Sequence, residues 1–422
     1  MTASDLPEIK KSRETAMLIV FFIAAGFVFL DRFGISYLFP QIGKSLHLDE
    51  SQLASLVSIT AVAWAISSLI FSVLSDRIGH KKLMIVASIL LFSVALGLIG
   101  LSPNYGIMLL LRAIIGFCAG PAVPIMQSLV SQSSPASRRG RNLGIVIAGT
   151  SVIGTALAPT IMIGLSTAYG WRLTFPIVAT AGLVVAILVA VFYKAPPAIV
   201  GAVQSVRFRD FRTVIANRNV LLAVLGTIIM IGFVIGFSAF APQFLTEKGL
   251  SPAGVTLVLT VFGISTALGN IIAPFVSDRI GRKPTLIIAA ICAGLTPLFF
   301  VLFSASVPLL LVGSLMALLG GGALTLITYV VPSESVAPSL IASAFALQIA
   351  VGETIGGAFG PQIGGALADS THTLSSALLL YAAAPIVVVV LALFLRETAP
   401  RRTAAKTKAI EEIEIGTQTL VP

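Results

Sequence analysis

The stretch Ser75–Gly79, which reads SDRIG, returns 202 residues later as Ser277–Gly281. Other matches keep this offset along a whole half of the chain. Pro40-Gln41 returns as Pro242-Gln243, and Gly154 with Pro159 returns as Gly356 with Pro361. One offset that fits matches so widely spread predicts two homologous halves of about 200 residues.

The composition is that of a membrane protein. Hydrophobic residues make up 57% of the chain and charged residues 10%, against roughly 45–50% and about 25% in soluble domains. A membrane-spanning helix needs about 20 mostly apolar residues, and it satisfies its own backbone hydrogen bonds in lipid. We therefore predict an all-α membrane protein with twelve transmembrane helices in two six-helix halves. The predicted spans are residues 17–40, 53–75, 83–101, 106–131, 142–167, 172–193, 220–245, 254–276, 285–304, 307–331, 339–366 and 375–395.

The spans divide the chain into five regions. We expect a tail at 1–16, an N-terminal six-helix half at 17–193, a central loop at 194–218, a C-terminal six-helix half at 219–395 and a second tail at 396–422. Parallel halves of apolar helices with a site between them are a common architecture of secondary transporters.

Basic residues predict the orientation in the membrane. All but five of the 27 Lys and Arg fall on the side that holds both termini; the exceptions are Lys44, Arg172 and Lys248 in the opposite loops and Arg32 and Arg112 within spans. Cytoplasmic loops carry such an excess, so we expect both termini in the cytoplasm of a bacterium and the protein in its inner membrane. The rule also accounts for the net charge of +10, and nucleic acid is not needed as a partner.

Enzyme chemistry has no visible basis in the sequence. Cys118 and Cys292 lie in predicted spans and are interpreted as small apolar packing residues. His47, His80 and His372 fall at loops or span ends. The sequence shows no metal cluster, no P-loop and no Gly-x-Ser-x-Gly, so we expect no catalytic residue, no metal and no cofactor.

Two short loops carry the most specific pattern. Residues 72–82 read SVLSDRIGHKK and residues 274–284 read PFVSDRIGRKP. Both resemble the loop signature of the major facilitator superfamily, Gly-x-x-x-Asp-Arg/Lys-x-Gly-Arg-Lys/Arg. The departures are Ser72 and Pro274 for the leading Gly and His80 for an Arg.

The resemblance implies a cytoplasmic gate. A Gly permits a tight turn, and an Asp at a helix end can accept hydrogen bonds from a neighbouring helix N-terminus. In the superfamily, such contacts latch the two halves during alternating access. The implied gate residues are Asp76, Arg77, Gly79, Asp278, Arg279 and Gly281.

Four ionisable residues lie well inside predicted spans: Asp31, Arg32, Arg112 and Glu353. A charge at the centre of a span costs about 2.5–3.5 kcal/mol on insertion scales, and such residues usually face a cavity or a partner. Side chains of helix neighbours diverge by about 100°. We therefore expect Asp31 to pair with Arg112, and Arg32 to face the central cavity beside Ser36, where its fork suits a carboxylate.

A narrower resemblance is to the anion:cation symporter branch of the superfamily. It rests on FLDRFGISYLFPQI at 29–42, LLRAIIGFCAGPAVP at 110–124 and GWRLTFPIVA at 170–179. In that branch two Arg help to bind the organic anion, and an Asp and a Glu handle the coupled proton. The resemblance therefore implies Arg32 and Arg112 as the residues that bind the anion. This chain has Ala119 where the branch has the Glu.

Ala119 rules out proton coupling through that position and leaves alternatives. Asp31 acts alone, Glu353 replaces the missing acid, or coupling is absent. We expect Asp31 to be the main proton site and Glu353 to assist it; the rival interpretation makes Glu353 a neutral packing residue. At spacings of three and four, Glu353 shares a predicted helix face with Gly356, Gly360 and Gly364, a stripe suited to close helix packing.

A Gly-x-x-x-Gly-Pro pattern in the fifth span is associated with antiporters, and it is degenerate there, reading Gly154-x-x-x-Ala158-Pro159. The intact version lies in the eleventh span, where packing is the favoured interpretation.

Polar residues that could line the cavity are few: Ser36, Tyr37, Gln127, Tyr329 and Gln348, along with Trp64. This scarcity favours an aromatic or short aliphatic carboxylate over a sugar acid. The leading prediction is import of an organic anion by proton symport. The alternatives are a carboxylate exchanger, a drug or metabolite efflux antiporter, and a non-transporting membrane sensor, which would need a sizeable added domain. We expect a monomer whose partners are the anion, protons and membrane lipid.

Overall fold

The computed structural model describes residues 11–78, 80–135, 138–193, 208–337 and 340–399, and over these residues the chain is helical without strands. The helices of the N-terminal half are α1 (Lys11–Gly34), α2 (Phe39–Leu46), α3 (Glu50–Ile78), α4 (Lys81–Ile99), α5 (Tyr105–Ala119), α6 (Ala122–Ser133), α7 (Arg139–Ser151) and α8 (Ala158–Phe192). They are followed by α9 (Phe208–Ile215), α10 (Arg218–Glu247), α11 (Pro252–Ile280), α12 (Arg282–Leu302), α13 (Val307–Gly320), α14 (Gly322–Thr325), α15 (Val331–Ser335), α16 (Ile341–Val351), α17 (Ala358–Thr371) and α18 (Leu374–Phe394).

These helices account for the twelve predicted spans. Ten stretches of the described chain are long and apolar enough to cross a membrane. One of them, Arg139–Phe192, is 54 residues long and turns at Gly170, where φ is 77° and ψ is 160°. It therefore supplies the fifth and sixth spans, while α16 and α17 together form the eleventh. The all-α prediction is confirmed, and the chain is an integral membrane protein.

Three π-helical segments interrupt the spans at Val152–Ala156, Leu326–Val330 and Gly352–Gly357. None of them is predicted from the sequence, because a π turn is set by the i→i+5 hydrogen bond and has no strong sequence signal. The first and last lie in the fifth and eleventh spans, at positions that the 202-residue offset nearly superimposes. The internal repeat therefore extends to an irregularity of the backbone.

Helix packing repeats as well. In the N-terminal half α1 packs on α7, α3 on α5 and α4 on α8. In the C-terminal half α10 packs on the π segment Gly352–Gly357, α11 on α13 and α12 on α18. In both halves the first span thus contacts the fifth, the second the fourth and the third the sixth.

The two halves meet along three seams. Helix α3 packs on α17, the π segment Val152–Ala156 packs on α11, and the 3-10 turn Ile35–Leu38 packs on α10. Hydrogen bonds between the halves are found midway along the helices and at the end of the bundle opposite the two termini. Of the buried charges singled out in the sequence, Arg32 and Glu353 lie midway, where the halves face each other.

Candidate functional site

An ion pair joins the two halves midway along the membrane spans, of which the first is Glu14–Leu46. Arg32 lies in the last turn of α1, and its Nη2 donates to Oε2 of Glu353, in the π segment of the eleventh span. The side chains are 7% and 13% exposed. A buried, charge-assisted pair of this kind is strong when its geometry is good. It is also a connection that must change whenever the halves move apart.

A second pair lies wholly within the N-terminal half. Arg112 of α5 has its Nη1 3.4 Å from Oδ1 of Asp31, and its Nε donates to the Leu56 carbonyl of α3 at 3.2 Å. The Arg112 side chain is 0% exposed, and its Nη2 has no hydrogen-bond partner among the described residues. The predicted pairing of Asp31 with Arg112 is confirmed.

The two neighbours in α1 therefore point to different places. Asp31 turns into the N-terminal half toward Arg112, while Arg32 turns to the boundary between the halves. The divergence is due to the 100° rotation per residue of a helix. Of the two arginines, Arg32 alone reaches a residue of the opposite half among the contacts that the structure describes.

Aromatic rings surround the Arg32 guanidinium. Its Cζ lies 4.9 Å from the centre of the Trp64 ring and 5.7 Å from that of Phe29. The two rings are 5.8 Å apart and nearly perpendicular, at 80°. A guanidinium over an aromatic face is attracted by the negative charge of the π system. Arg32 thus contacts aromatic rings in its own half and an acidic side chain in the other half.

Two glycines determine how closely α3 packs: Gly116 in α5 and Gly120 directly after its C-terminal end. A Cβ on Gly116 would lie 2.4 Å from the Thr60 carbonyl oxygen, and one on Gly120 would lie 2.6 Å from that of Trp64. Any larger residue would push α3 away at those points. The glycines of the Arg112-x-x-x-Gly116 motif and its continuation therefore hold Trp64 against the site.

The π segment changes the register of the eleventh span. Gly352, Gly356 and Gly360 face α10, where a Cβ on Gly360 would lie 2.5 Å from the Cα of Gly232. The extra residue in a π turn rotates the neighbouring residues about the helix axis, and Glu353 points away from this face, toward Arg32. The predicted place of Glu353 on the glycine stripe is wrong, whereas close helix packing by the stripe is confirmed.

The polar residues expected to line the cavity are dispersed. Tyr329 is close enough to Glu353 for an electrostatic interaction, and its ring packs edge-on against Phe345 at 5.5 Å. Ser36 is buried and Tyr37 half-buried in the 3-10 turn, and Gln127 is half-buried on α6. Gln348 is fully buried and its amide lies 3.5 Å from the Val220 carbonyl of α10.

Sequence comparison decides the family. The profile described as Major Facilitator Superfamily matches residues 21–254 and 222–421. The chain belongs to the Major Facilitator Superfamily. The relatives and structural neighbours are transporters, and the protein is a transporter rather than an enzyme. Among the described residues no group of three or more His, Cys, Asp or Glu could hold a metal ion.

Named relatives and solved structures agree with this assignment. The chain is 26% identical over 413 residues to a probable L-galactonate transporter of Escherichia coli, covering 88% of this chain and 86% of that one. It is 26% identical to an Escherichia coli sialic acid transporter and 25% identical to a Bacillus subtilis hexuronate transporter, and it spans 69% and 66% of their lengths. A bacterial homologue of the human lysosomal transporter Spinster has the same fold, with a TM-score of 0.78 at 18% identity over 92% of this chain and 97% of that one.

In this superfamily member the second copy of the loop motif is part of a charged network. Arg282 Nη2 lies 2.6 Å from Asp278 and 2.7 Å from Glu334 at the end of the tenth span. Glu397 accepts from the backbone N–H of Arg282 at 2.7 Å. None of these contacts reaches the N-terminal half, and a role of Asp278 in latching the two halves remains a prediction.

The other residues of the two loop motifs differ in how far the structure describes them. Gly281 has φ 106° and ψ 154°. Residues other than Gly rarely adopt this backbone conformation, and the tight turn is confirmed. Arg279 is exposed. In the first copy Asp76 and Arg77 end α3, but their side chains and Gly79 lie outside the described residues. Sequence reasoning missed Arg282, Glu334 and Glu397, although Arg282 occupies an Arg position of the signature.

Another contact between the halves lies at the end of the bundle opposite the two termini. Asp369, near the end of α17, accepts from the backbone N–H of Glu50 and of Ser51, each at 2.9 Å, and from the Ser51 hydroxyl. A carboxylate at a helix N-terminus satisfies unpaired N–H groups and favours the helix dipole. Asp369 carried no sequence signal, because its partner is the start of a helix in the other half.

Proposed function

We propose that this transporter imports an organic anion by proton symport, with alternating access of one site between the halves. The observation that carries the proposal is the buried pair of Arg32 and Glu353 across the boundary of the halves. The names of the relatives support it, since galactonate, hexuronate and sialic acid are all organic acids.

The pair provides a means of coupling. While Glu353 is ionised it occupies the Arg32 fork and excludes a substrate carboxylate. A proton on Glu353 removes its charge, and the fork is then free for the anion. Anion and proton enter the site together, because each leaves an uncompensated buried charge without the other. Glu353 thus takes the main coupling role that the sequence led us to expect of Asp31, because Glu353 faces the other half. Asp31, held by Arg112, is the second acid that could titrate during the cycle.

The surroundings of Arg32 support a particular kind of anion. The ring centres of Trp64 and Phe29 lie 4.9 and 5.7 Å from the Cζ of Arg32. The Gln348 amide, in contrast, is directed toward the Val220 carbonyl of α10. A polyhydroxy acid needs many hydrogen-bond partners, because a buried unpaired polar group is costly. We propose an aromatic or short aliphatic carboxylate, with Arg32 as its anchor and Tyr329 beside it.

The side of the membrane belongs to the same proposal. With both termini in the cytoplasm, the end closed by Asp369 faces outward, and import begins when that end opens. Reporter fusions after the predicted outer loops and at the C-terminus test this orientation directly.

Coupling is tested in proteoliposomes with two assays: uptake of a carboxylate under an imposed pH gradient, and exchange with the same carboxylate on both sides. Glu353→Gln should lose gradient-driven uptake and its pH dependence while keeping exchange. Glu247→Gln, which removes a carboxylate at the end of α10, is the matched control and should behave as wild type. If uptake by the wild-type protein does not respond to the pH gradient, proton symport is wrong and exchange is the better explanation. If Glu353→Gln keeps driven uptake, Glu353 is not the coupling acid.

A further inference from the structure

The Arg32 guanidinium must change its binding partner while its side chain keeps the same orientation. It pairs with Glu353 in the structure and, on the proposed function, with a substrate carboxylate after Glu353 is protonated. Between those events a flexible arginine would be free to turn toward water or toward another acid. Something other than Glu353 therefore has to keep the fork at the boundary of the halves.

Trp64 is placed to do this. Its ring centre is 4.9 Å from the Cζ of Arg32, and its side chain is 6% exposed, so the indole face is desolvated where it meets the cation. Attraction of a cation to an aromatic face is strongest in such a setting, and Trp is the most effective of the aromatic residues. Phe29 stands edge-on to the indole and completes the corner.

The location of the rings within one half is as important as their distance. Arg32, Trp64 and Phe29 all belong to the N-terminal half, whereas Glu353 belongs to the other. If the halves move as bodies, the Arg32–Glu353 pair changes while the Arg32–Trp64 contact is retained. The backbone of Trp64 is itself fixed, because Ser67 Oγ donates to its carbonyl at 3.1 Å and Gly120 allows close approach there.

We infer that Trp64 is the positioning residue that holds the Arg32 guanidinium ready for the transported anion. The inference rests on the proposed function and adds to it that the anion receptor is preformed in the N-terminal half. A second tryptophan provides a control. Trp171 stacks on Arg172 at 4.3 Å, and Arg172 donates to the Ser102 carbonyl at 2.9 Å, away from the site.

Binding to purified protein tests the inference, with benzoate, propionate and galactonate as probes in isothermal titration. Trp64→Leu keeps an apolar side chain but removes the π face, and it should weaken binding of the best probe by about tenfold or more. Trp64→Phe keeps a face and should stay within about threefold. Trp171→Leu should equal wild type, although it removes the other cation–π contact.

A spectroscopic measurement separates positioning from packing. The chain has two Trp, so Trp171→Phe leaves Trp64 as the only indole. Its emission should change when Arg32→Met removes the cation and when the best probe saturates the site.

Each outcome has a definite meaning. Equal binding by Trp64→Leu and wild type, or equal losses in Trp64→Leu and Trp64→Phe, overturns the inference while leaving anion transport intact. An emission spectrum that Arg32→Met leaves unchanged also overturns it. If none of the three carboxylates binds wild type, the proposed function fails and the inference falls with it.

Discussion

Asp31 and Arg32 show how one helical step separates two kinds of buried charge. Asp31 is enclosed with Arg112 between α1, α3 and α5, and this pair stays inside one half. Arg32 faces the other half, where its partner can leave. Removing one member of a buried pair costs about 3–5 kcal/mol, because the other charge is left uncompensated. The two arginines should therefore differ in what their loss does.

Arg32→Ala should abolish carboxylate binding, and Arg32→Lys should also fail, because an ammonium does not reproduce the planar fork. Arg112→Ala should instead destabilise the folded protein by about 3–5 kcal/mol. The double variant Asp31→Asn with Arg112→Gln should recover much of that loss, since neither residue then carries a charge. Calorimetric binding and thermal unfolding in detergent measure the two effects. Equal unfolding temperatures for the Arg112→Ala protein and wild type would contradict this division.

The sequence predicts one of these pairs and not the other. Adjacent positions on a helix and an arginine in a nearby span were enough to pair Asp31 with Arg112. The partner of Arg32 depends on how two halves, separated by some 200 residues, are aligned, and on a π turn that rotates Glu353. Neither the alignment of the halves nor the π turn can be read from local spacing, so the sequence could only name Glu353 as one of two candidate acids.

At the scale of the element, the eleventh span combines two functions on two faces. Gly356 and Gly360 let α10 approach to backbone contact, while Glu353 reaches the opposite half. A regular helix at 3.6 residues per turn would place Glu353 close to the glycine face. The π segment Gly352–Gly357 resolves the conflict, in keeping with the frequent occurrence of π turns at functional sites.

Gly360→Ala tests the close contact. Its Cβ would lie 2.5 Å from the Cα and 2.6 Å from the carbonyl oxygen of Gly232, which are backbone atoms that cannot turn aside. We expect a loss of about 1–3 kcal/mol in unfolding free energy, as for other overpacked cores, seen as a lower unfolding temperature in detergent.

Gly164→Ala is the control for that substitution. Gly164 is also helical, in α8, and a Cβ there meets nothing within 4 Å. It should be neutral or slightly stabilising, because Ala is the better helix former. Similar unfolding temperatures for the two variants would show that the stripe does not determine the packing of the eleventh span.

At the scale of the whole molecule, the repeat determines most of the architecture. Twelve spans, two halves and a charged boundary could be predicted from hydropathy, the 202-residue offset and the buried ions. The seams between the halves could not, because several of their contacts involve backbone groups. Ser58 donates to the Ala358 carbonyl at 2.6 Å, and Asp369 accepts from the first N–H groups of α3. Such acceptors and donors are present in every helix and leave no mark in the sequence.

Asp369 is a charged member of the seam at the end opposite the termini. Its carboxylate accepts from Glu50 N, Ser51 N and the Ser51 hydroxyl, so opening that end requires all three bonds to break. Asp49 lies at the same end with the same charge, but its carboxylate stays within its own half, where it accepts from Gln52 N in the first turn of α3 at 2.7 Å. The two acids form a matched pair for testing the seam.

Asp369→Asn should favour opening of this end, because an amide loses the charge that the helix N-terminus attracts and presents an N–H toward N–H donors. Ser58→Cys, in a protein whose Cys118 and Cys292 are replaced by Ala, places a reporter thiol in the seam. A membrane-impermeant maleimide should label it several times faster in Asp369→Asn than in Asp49→Asn, which should match the parent. Equal labelling rates in all three would mean that Asp369 does not hold the halves together, and that closure depends on the other contacts of the seam.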